Sequence, residues 1–121
     1  MSKRVLIVDD AQFMRTMLQD IFTSSGWQVI AEADNGEQAI AEYEIHQPDL
    51  VTMDVVMPEM GGIDALKQIL LNDPTARIVV CSALGQKKLI LDAIQAGAKD
   101  FIVKPFQKAQ VLEVVERVIS A

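Results

Sequence analysis

Residues Arg4 to Thr23, RVLIVDDAQFMRTMLQDIFT, contain the clearest indication of the fold in this chain of 121 residues. Residues 4–9 form a nearly continuous apolar run, which predicts a strand that is buried on both faces. From residue 11 to residue 23 the apolar residues instead recur at the three- and four-residue spacing of one helical face. That face consists of Phe13, Met14, Met17, Leu18, Ile21 and Phe22. A buried strand followed directly by an amphipathic helix is the building unit of α/β proteins.

The same strand–helix unit repeats along the rest of the chain. Short apolar runs predict four further strands at residues 28–33, 50–54, 77–82 and 99–103. Segments of helical period predict four further helices at residues 37–46, 63–71, 86–96 and 109–119. Strict alternation of five strands and five helices implies a parallel sheet with helices on both faces. Because no linker, repeat or low-complexity tract interrupts the pattern, we expect residues 1–121 to form a single domain.

The composition argues against several classes of protein. Half of the residues are apolar, which is too many for a disordered chain. The chain has 17 acidic and 11 basic side chains and a net charge of −6, so we expect no nucleic-acid binding. Apolar runs such as residues 5–8 are too short to span a bilayer, and no signal peptide is visible. Because of these short runs we expect no membrane partner. A single cysteine, Cys81, suits a reducing compartment, and we therefore expect a cytoplasmic protein.

Polar residues stand at the carboxyl ends of four predicted strands. Asp9 and Asp10 end the first strand, Asp54 the third and Ser82 the fourth, and Lys104 follows the fifth. In an open parallel sheet, ligands bind beyond these ends of the strands. If the strand order is 2-1-3-4-5, the first and third strands are neighbours and the three carboxylates share one crevice. Their mutual repulsion would be relieved by a divalent cation such as Mg²⁺, which prefers carboxylates, water and phosphate oxygens as ligands.

These residue types together suit metal-assisted transfer of a phosphoryl group to a carboxylate. A carboxylate nucleophile can form an aspartyl phosphate, while an ammonium and a hydroxyl group neutralise and bind the phosphoryl oxygens. Each residue taken alone also has a simpler explanation. Asp10 suits the N-cap of the first helix, Asp54 and Ser82 suit loops, and Lys104 with Pro105 suits a turn. The coincidence of matching polar groups at four strand ends favours the functional interpretation.

Four motifs together carry a resemblance to a known family. The residues Leu6-Ile7-Val8-Asp9-Asp10, Asp54 with Met57-Pro58, Ser82-Ala83 and Lys104-Pro105 resemble the receiver domain of two-component response regulators. The stretches VDDAQFMR (8–15), MDVVMPEM (53–60) and AIQAGAKDFIVKPF (93–106) are similar to the chemotaxis regulators of this family, in particular to those of Gram-positive bacteria. The resemblance covers the whole chain. It implies a flavodoxin-like α/β fold, with a five-stranded parallel sheet of order 2-1-3-4-5 flanked by five helices.

The resemblance implies a role for each residue of the acidic site. Asp54 would be the phosphoacceptor, and Lys104 would contact the phosphoryl group. Asp9, Asp10, Asp54 and the backbone carbonyl of Val56 would hold Mg²⁺ as the cofactor. The side chain of Val56 departs from the commoner polar residues at this position, which bears on water access to the site.

The resemblance also implies a switch. Ser82 would move toward the phosphoryl group, and Phe101 would rotate inward to fill the vacated space. The Lys104–Pro105 bond would be cis. Because Ser82 and Lys104 end the fourth and fifth strands, the surface formed by helix 4, strand 5 and helix 5 would change with phosphorylation. Candidates to line that surface are Lys87, Lys88, Leu91, Phe101, Val103 and Gln107.

The function implied by the resemblance is signalling, with catalysis limited to the chain's own Mg²⁺-dependent phosphorylation and dephosphorylation. A histidine kinase of the chemotaxis system would be the phosphodonor, the flagellar motor switch protein the target, and a phosphatase a further partner of a monomeric, stand-alone regulator. Two alternatives stay open. The chain would then be a phosphorelay intermediate that passes phosphate to a histidine phosphotransfer protein, or a receiver excised from a transcription factor. An aspartate-nucleophile phosphatase is excluded because its second aspartate would stand at Val56.

Overall fold

Five strands and five helices alternate along residues 3–121, the part of the chain that the computed structural model describes. The strands are β1 (Arg4–Val8), β2 (Gln28–Ala33), β3 (Leu50–Asp54), β4 (Ile78–Ser82) and β5 (Asp100–Val103). The helices are α1 (Gln12–Thr23), α2 (Gly36–His46), α3 (Gly62–Asn72), α4 (Lys87–Ala96) and α5 (Lys108–Ser120). Each boundary lies within one residue of the predicted one. Within the described residues, none of these helices is both long and apolar enough to cross a bilayer.

The strands form one parallel sheet in the order β2-β1-β3-β4-β5, which confirms the predicted fold class. In the register of this sheet, Val8 of β1 lies beside Met53 of β3, and Asp54 lies beside Cys81 of β4. The carboxyl ends of β1, β3 and β4 are therefore nearly level. This register brings together the polar residues that follow those strands.

Side chains that alternate along the strands build one core on each face of the sheet. Val5 and Ile7 of β1 belong to the core shared with α1 and α5, where the Phe22 and Trp27 rings meet edge to face at 5.4 Å. Leu6 and Val8 belong to the other core, which includes buried residues of α2, α3 and α4. These four of the five β1 residues are at most 1% exposed. The continuous apolar run of β1 is thus explained by burial on both faces.

Two residues near the start of α1 differ from the simplest sequence interpretation. Phe13, assigned to the inward face, is 71% exposed, because it lies in the first turn of α1, at the edge of the sheet where β1 ends. Leu18, Ile21 and Phe22, further along α1, are buried as predicted. The N-cap position of α1 is Ala11 and not Asp10, and it makes no side-chain capping hydrogen bond. Capping therefore does not account for Asp10.

Candidate functional site

Three carboxylates meet at the carboxyl ends of β1 and β3. Asp9 is 1% exposed and Asp54 is 5% exposed, whereas Asp10 is open to solvent. One carboxylate oxygen from each of the three residues lies within 4.8 Å of the others. This grouping arises because β1 and β3 are neighbours in the sheet, so that residues distant in sequence end at the same edge. Three hard oxygen ligands at such spacing suit a divalent cation.

The ammonium group of Lys104 joins the two buried carboxylates. Its Nζ lies 2.9 Å from Asp9 Oδ2 and 3.2 Å from Asp54 Oδ2. The backbone N–H of Lys104 donates to the carbonyl of Ser82 at 2.8 Å, and the peptide bond from Lys104 to Pro105 is cis. Burial alone would lower the pKa of Lys104, but the hydrogen bond and charge of Asp9 and the charge of Asp54 raise it above its usual value. Lys104 therefore stays charged and can neutralise an anionic group at this site.

The carboxyl group of Asp54 has a raised pKa. Burial, followed by the negative charge of Asp9, raises the pKa of Asp54 to about 6, even though Lys104 and the N–H of Val56 lower it in part. One ammonium between two buried carboxylates thus leaves a surplus of negative charge at the site. A cation bound by these acids would remove that surplus.

The loop after β3 is packed closely against Asp54. The N–H of Val56 donates to Asp54 Oδ1 at 3.3 Å, and the N–H of Gly62 donates to the carbonyl of Val55 at 3.2 Å. A methyl group at Gly62 would overlap the carbonyl oxygen of Asp54, so only glycine allows α3 to begin here. The N-cap of α3 is Gly61, which has no side chain to cap the helix. The Val56 side chain is 52% exposed and lies outside the core.

Ser82 and Phe101 project toward the same face of neighbouring strands. Ser82 pairs in register with Val103, and Phe101, two residues earlier in β5, pairs with Val80. Ser82 is fully buried and its hydroxyl has no hydrogen-bond partner among the described residues, whereas Phe101 is 40% exposed. An unpartnered buried hydroxyl is costly, and it is therefore available for a new acceptor that enters the site.

Sequence reasoning missed three residues around the site. Arg15 of α1 donates from Nη1 to the carbonyl oxygen of Asp9 at 2.7 Å, and from Nε to Glu32 of β2 at 2.9 Å. Thr52 of β3 is fully buried, and its hydroxyl also lacks a partner within residues 3–121. A signal for Arg15 was present, since a cation in the second turn of α1 lies close to the acidic end of β1. No signal pointed to Glu32, whose position depends on the pairing of β1 with β2.

Cys81 lies beside Asp54 in the register of β3 and β4, yet it takes no part in the chemistry of the site. Its thiol is 1% exposed. Burial, followed by the negative charge of Asp54, raises the pKa of Cys81 well above its usual range. A thiol held in its protonated form is a poor nucleophile, so Cys81 packs as a small apolar residue.

Comparison with known proteins agrees with this geometry. Residues 5–116 match the family model described as the response regulator receiver domain. The chemotaxis protein CheY of Bacillus subtilis is 58% identical over 120 residues, which cover 99% of this chain and 100% of that protein. CheY of Thermotoga maritima is 58% identical over 118 residues, which cover 98% of each chain.

A solved structure is also similar throughout. In the CheX–CheY–BeF3–Mg²⁺ complex from Borrelia burgdorferi, the matching chain has a TM-score of 0.92 and 45% identity, with 96% of this chain and 88% of that chain covered. The family match, the identities and the shared fold agree with the strand-end motifs seen in the sequence. The chain therefore belongs to the response regulator receiver domain family.

Proposed function

We propose that this chain is a chemotaxis response regulator, in which Asp54 accepts a phosphoryl group from a histidine kinase in a Mg²⁺-dependent reaction. The observation that carries the proposal is the buried Asp54 beside Lys104 and two further carboxylates, in a chain 58% identical to CheY of Bacillus subtilis. Proteins of this family are signalling proteins. Residues 1–121 would form one receiver domain, which would act through contact with another protein.

The residues at the strand ends fit a magnesium ion. Their donors are carboxylate oxygens within 4.8 Å of one another, and burial, followed by the negative charge of Asp9, raises the pKa of Asp54 despite the nearby Lys104. Asp9, Asp10 and Asp54 would hold the ion, together with the backbone carbonyl of Val56. When bound, it would neutralise charge on the carboxylates and on the phosphoryl oxygens during transfer. The Mg²⁺-bound complex of the Borrelia relative supports this choice of metal.

In the transfer step, a carboxylate oxygen of Asp54 attacks the phosphorus of a phosphohistidine. A new O–P bond forms as the P–N bond of the donor breaks, and the histidine leaves with the electron pair of that bond. Lys104 remains protonated and moves from its ion pair with Asp54 to an oxygen of the phosphoryl group. The step needs little from the protein besides position and charge, which suits a site built from rigid strand ends.

After transfer, the phosphoryl oxygens supply the acceptor that the buried Ser82 hydroxyl lacks. Movement of Ser82 toward them would vacate space on the face of the sheet to which Phe101 also projects. Phe101 is 40% exposed in the unphosphorylated protein, and its inward rotation would bury apolar area. Phosphorylation would thereby change the surface of α4, β5 and α5.

That surface already exposes apolar side chains suited to binding a protein. Leu91 is 53% exposed, and Ile94, on the same helix, is 39% exposed. We infer that this surface binds the flagellar motor switch protein when Asp54 is phosphorylated.

A phosphatase would be a further partner, and the Borrelia complex is an example of a CheY bound to a second protein. The chain would act in the cytoplasm. It would be a monomer, and light scattering of the phosphorylated and unphosphorylated protein would test this oligomeric state.

Phosphorylation is tested by intact-mass spectrometry with Mg²⁺ and acetyl phosphate as the small-molecule donor. We expect wild type to gain the mass of one phosphoryl group, and Asp54→Asn to gain none. The matched control is Asp20→Asn, which removes an exposed carboxylate of α1 far from the strand ends and should be modified like wild type. An unmodified wild type in a folded, Mg²⁺-loaded sample would overturn the proposal.

The target is tested by capture on purified motor switch protein, with and without acetyl phosphate. We expect capture of the phosphorylated wild type only. Leu91→Asp should abolish capture without preventing phosphorylation, because it places a charge in the proposed contact surface. Leu71→Asp is the control, since Leu71 is 76% exposed on α3, outside that surface. Equal capture of phosphorylated Leu91→Asp and wild type would contradict the assignment of this surface.

A further inference from the structure

Asp9 is held by a hydrogen bond or ion pair at each of its four polar groups. Its N–H donates to the carbonyl of Ala33 at 3.0 Å, and its Oδ1 accepts from the N–H of Ala11 at 2.9 Å. Its Oδ2 forms the ion pair with Lys104, and its carbonyl oxygen accepts from Arg15 Nη1 at 2.7 Å. Two of these four partners are side chains, Lys104 and Arg15, and only Lys104 has so far been given a chemical role.

The carbonyl that Arg15 binds belongs to the peptide that joins Asp9 to Asp10. Because a peptide unit is planar, a hydrogen bond to its oxygen restrains the orientation of the whole unit. Both carboxylates of the acidic pair project from the ends of this unit. Asp10 is exposed, and within residues 3–121 no hydrogen bond or ion pair holds its carboxylate. The direction of the Asp10 side chain therefore depends on how the Asp9–Asp10 peptide is fixed.

Arg15 is itself fixed by a second contact. Its Nε donates to Glu32 Oε1 at 2.9 Å, and its side chain is only 17% exposed. Glu32 lies on β2 beside Ile7 of β1, so this one guanidinium group connects α1, β2 and the end of β1. The nitrogen atoms of a guanidinium share one rigid plane, whereas a lysine ammonium is a single point charge. Arginine can thus hold both acceptors at once in a fixed relative geometry.

We propose that Arg15, held by Glu32, is a positioning residue that sets the Asp9–Asp10 peptide so that both carboxylates meet the cation. This inference rests on the proposed function, because it concerns the same cation site. Groups that orient a metal's ligands through hydrogen bonds commonly change metal affinity by about 10–100-fold when they are removed. We expect a loss of Mg²⁺ affinity of this size in Arg15→Ala.

The test measures the Mg²⁺ dissociation constant by isothermal titration calorimetry, alongside the urea midpoint of the metal-free protein. Arg15→Ala should raise the dissociation constant by about tenfold or more. Arg15→Lys keeps the charge but loses the planar fork, and it should bind Mg²⁺ nearly as weakly as Arg15→Ala. Arg117→Ala is the control, because it removes an equal charge and another ion pair, with Asp100 at 2.8 Å, at the opposite edge of the sheet. Its dissociation constant should match that of wild type.

Phosphorylation kinetics separate positioning from a purely structural role. If Arg15 acts through the cation, the slow modification of Arg15→Ala by acetyl phosphate should recover at saturating Mg²⁺. A dissociation constant within about twofold of wild type in Arg15→Ala, or full rescue by Arg15→Lys, would overturn the inference while leaving the proposed function intact. Should Arg15→Ala fail to fold, Arg15→Lys and Glu32→Gln decide the matter by the same criterion. Failure of wild type itself to bind Mg²⁺ would instead defeat the proposed function.

Discussion

Asp54 carries an unfavourable negative charge in the metal-free protein, so we expect Asp54→Asn to be more stable than wild type at neutral pH. The pKa of Asp54 is raised from 3.8 in its ordinary state to about 6 in the fold, first by burial and then by the charge of Asp9. A carboxyl with a raised pKa binds its proton more tightly in the folded state than in the unfolded one. Its contribution to stability is therefore complete below the unfolded pKa and is lost as the pH rises through about 6.

The size of this loss follows from the two pKa values. Each pKa unit corresponds to about 1.4 kcal/mol, so ionisation of Asp54 costs the metal-free fold about 3 kcal/mol above pH 6. Asparagine has a similar shape and no charge, and it avoids this cost. In urea, about 3 kcal/mol displaces the unfolding midpoint upward by roughly 1–3 M for a small domain.

The assay is urea unfolding in the presence of a chelator, across pH values from about 4 to about 8. Wild type and Asp54→Asn should have similar stability at the acid end, and the variant should gain as the pH rises. Added Mg²⁺ should narrow the difference, because it binds and stabilises the wild-type carboxylates. Asp20→Asn serves as the exposed control and should show no such trend. Equal stability of wild type and Asp54→Asn at about pH 8 without metal would refute the claim that the ionised Asp54 carboxylate destabilises the fold.

Three further substitutions test other contacts of the site. Ser82→Ala removes a buried hydroxyl that has no hydrogen-bond partner in the described residues, so urea unfolding should show the unphosphorylated protein to be about 1 kcal/mol more stable. Phosphorylation-dependent capture of this variant by the target should fall. Lys104→Ala leaves Asp9 and Asp54 buried without their cation, and should cost the metal-free protein about 3 kcal/mol and slow phosphorylation measured by intact mass. Gly62→Ala forces a methyl group against the Asp54 carbonyl oxygen, and thermal unfolding should show a loss of about 2 kcal/mol. Unchanged stability in Lys104→Ala or Gly62→Ala, or lower stability in Ser82→Ala, would contradict the contact concerned.

Local patterns in the sequence were enough for the fold and for most of the acidic site. The apolar run of β1 and the helical spacing of α1 each report burial within a single element, and burial is what these patterns measure. Asp9, Asp54, Ser82 and Lys104 were predictable as a group because parallel strands end at a common edge of the sheet. Phe13 was wrongly assigned to the inward face, since periodicity shows the face of a helix but not where the helix extends beyond the sheet.

Strands, helices and the polar residues that follow the strands were thus all readable from local sequence patterns. The contacts that give those polar residues their properties depend instead on the packing of distant elements. Lys104 contacts two carboxylates, and Arg15 contacts both Asp9 and Glu32, so each of these side chains joins elements that are far apart in the chain. The burial that raises the pKa of Asp54 likewise depends on residues from several elements. The spacing of residues along the sequence does not predict distances between side chains of different elements, because the pairing of strands and the packing of each helix on the sheet set those distances.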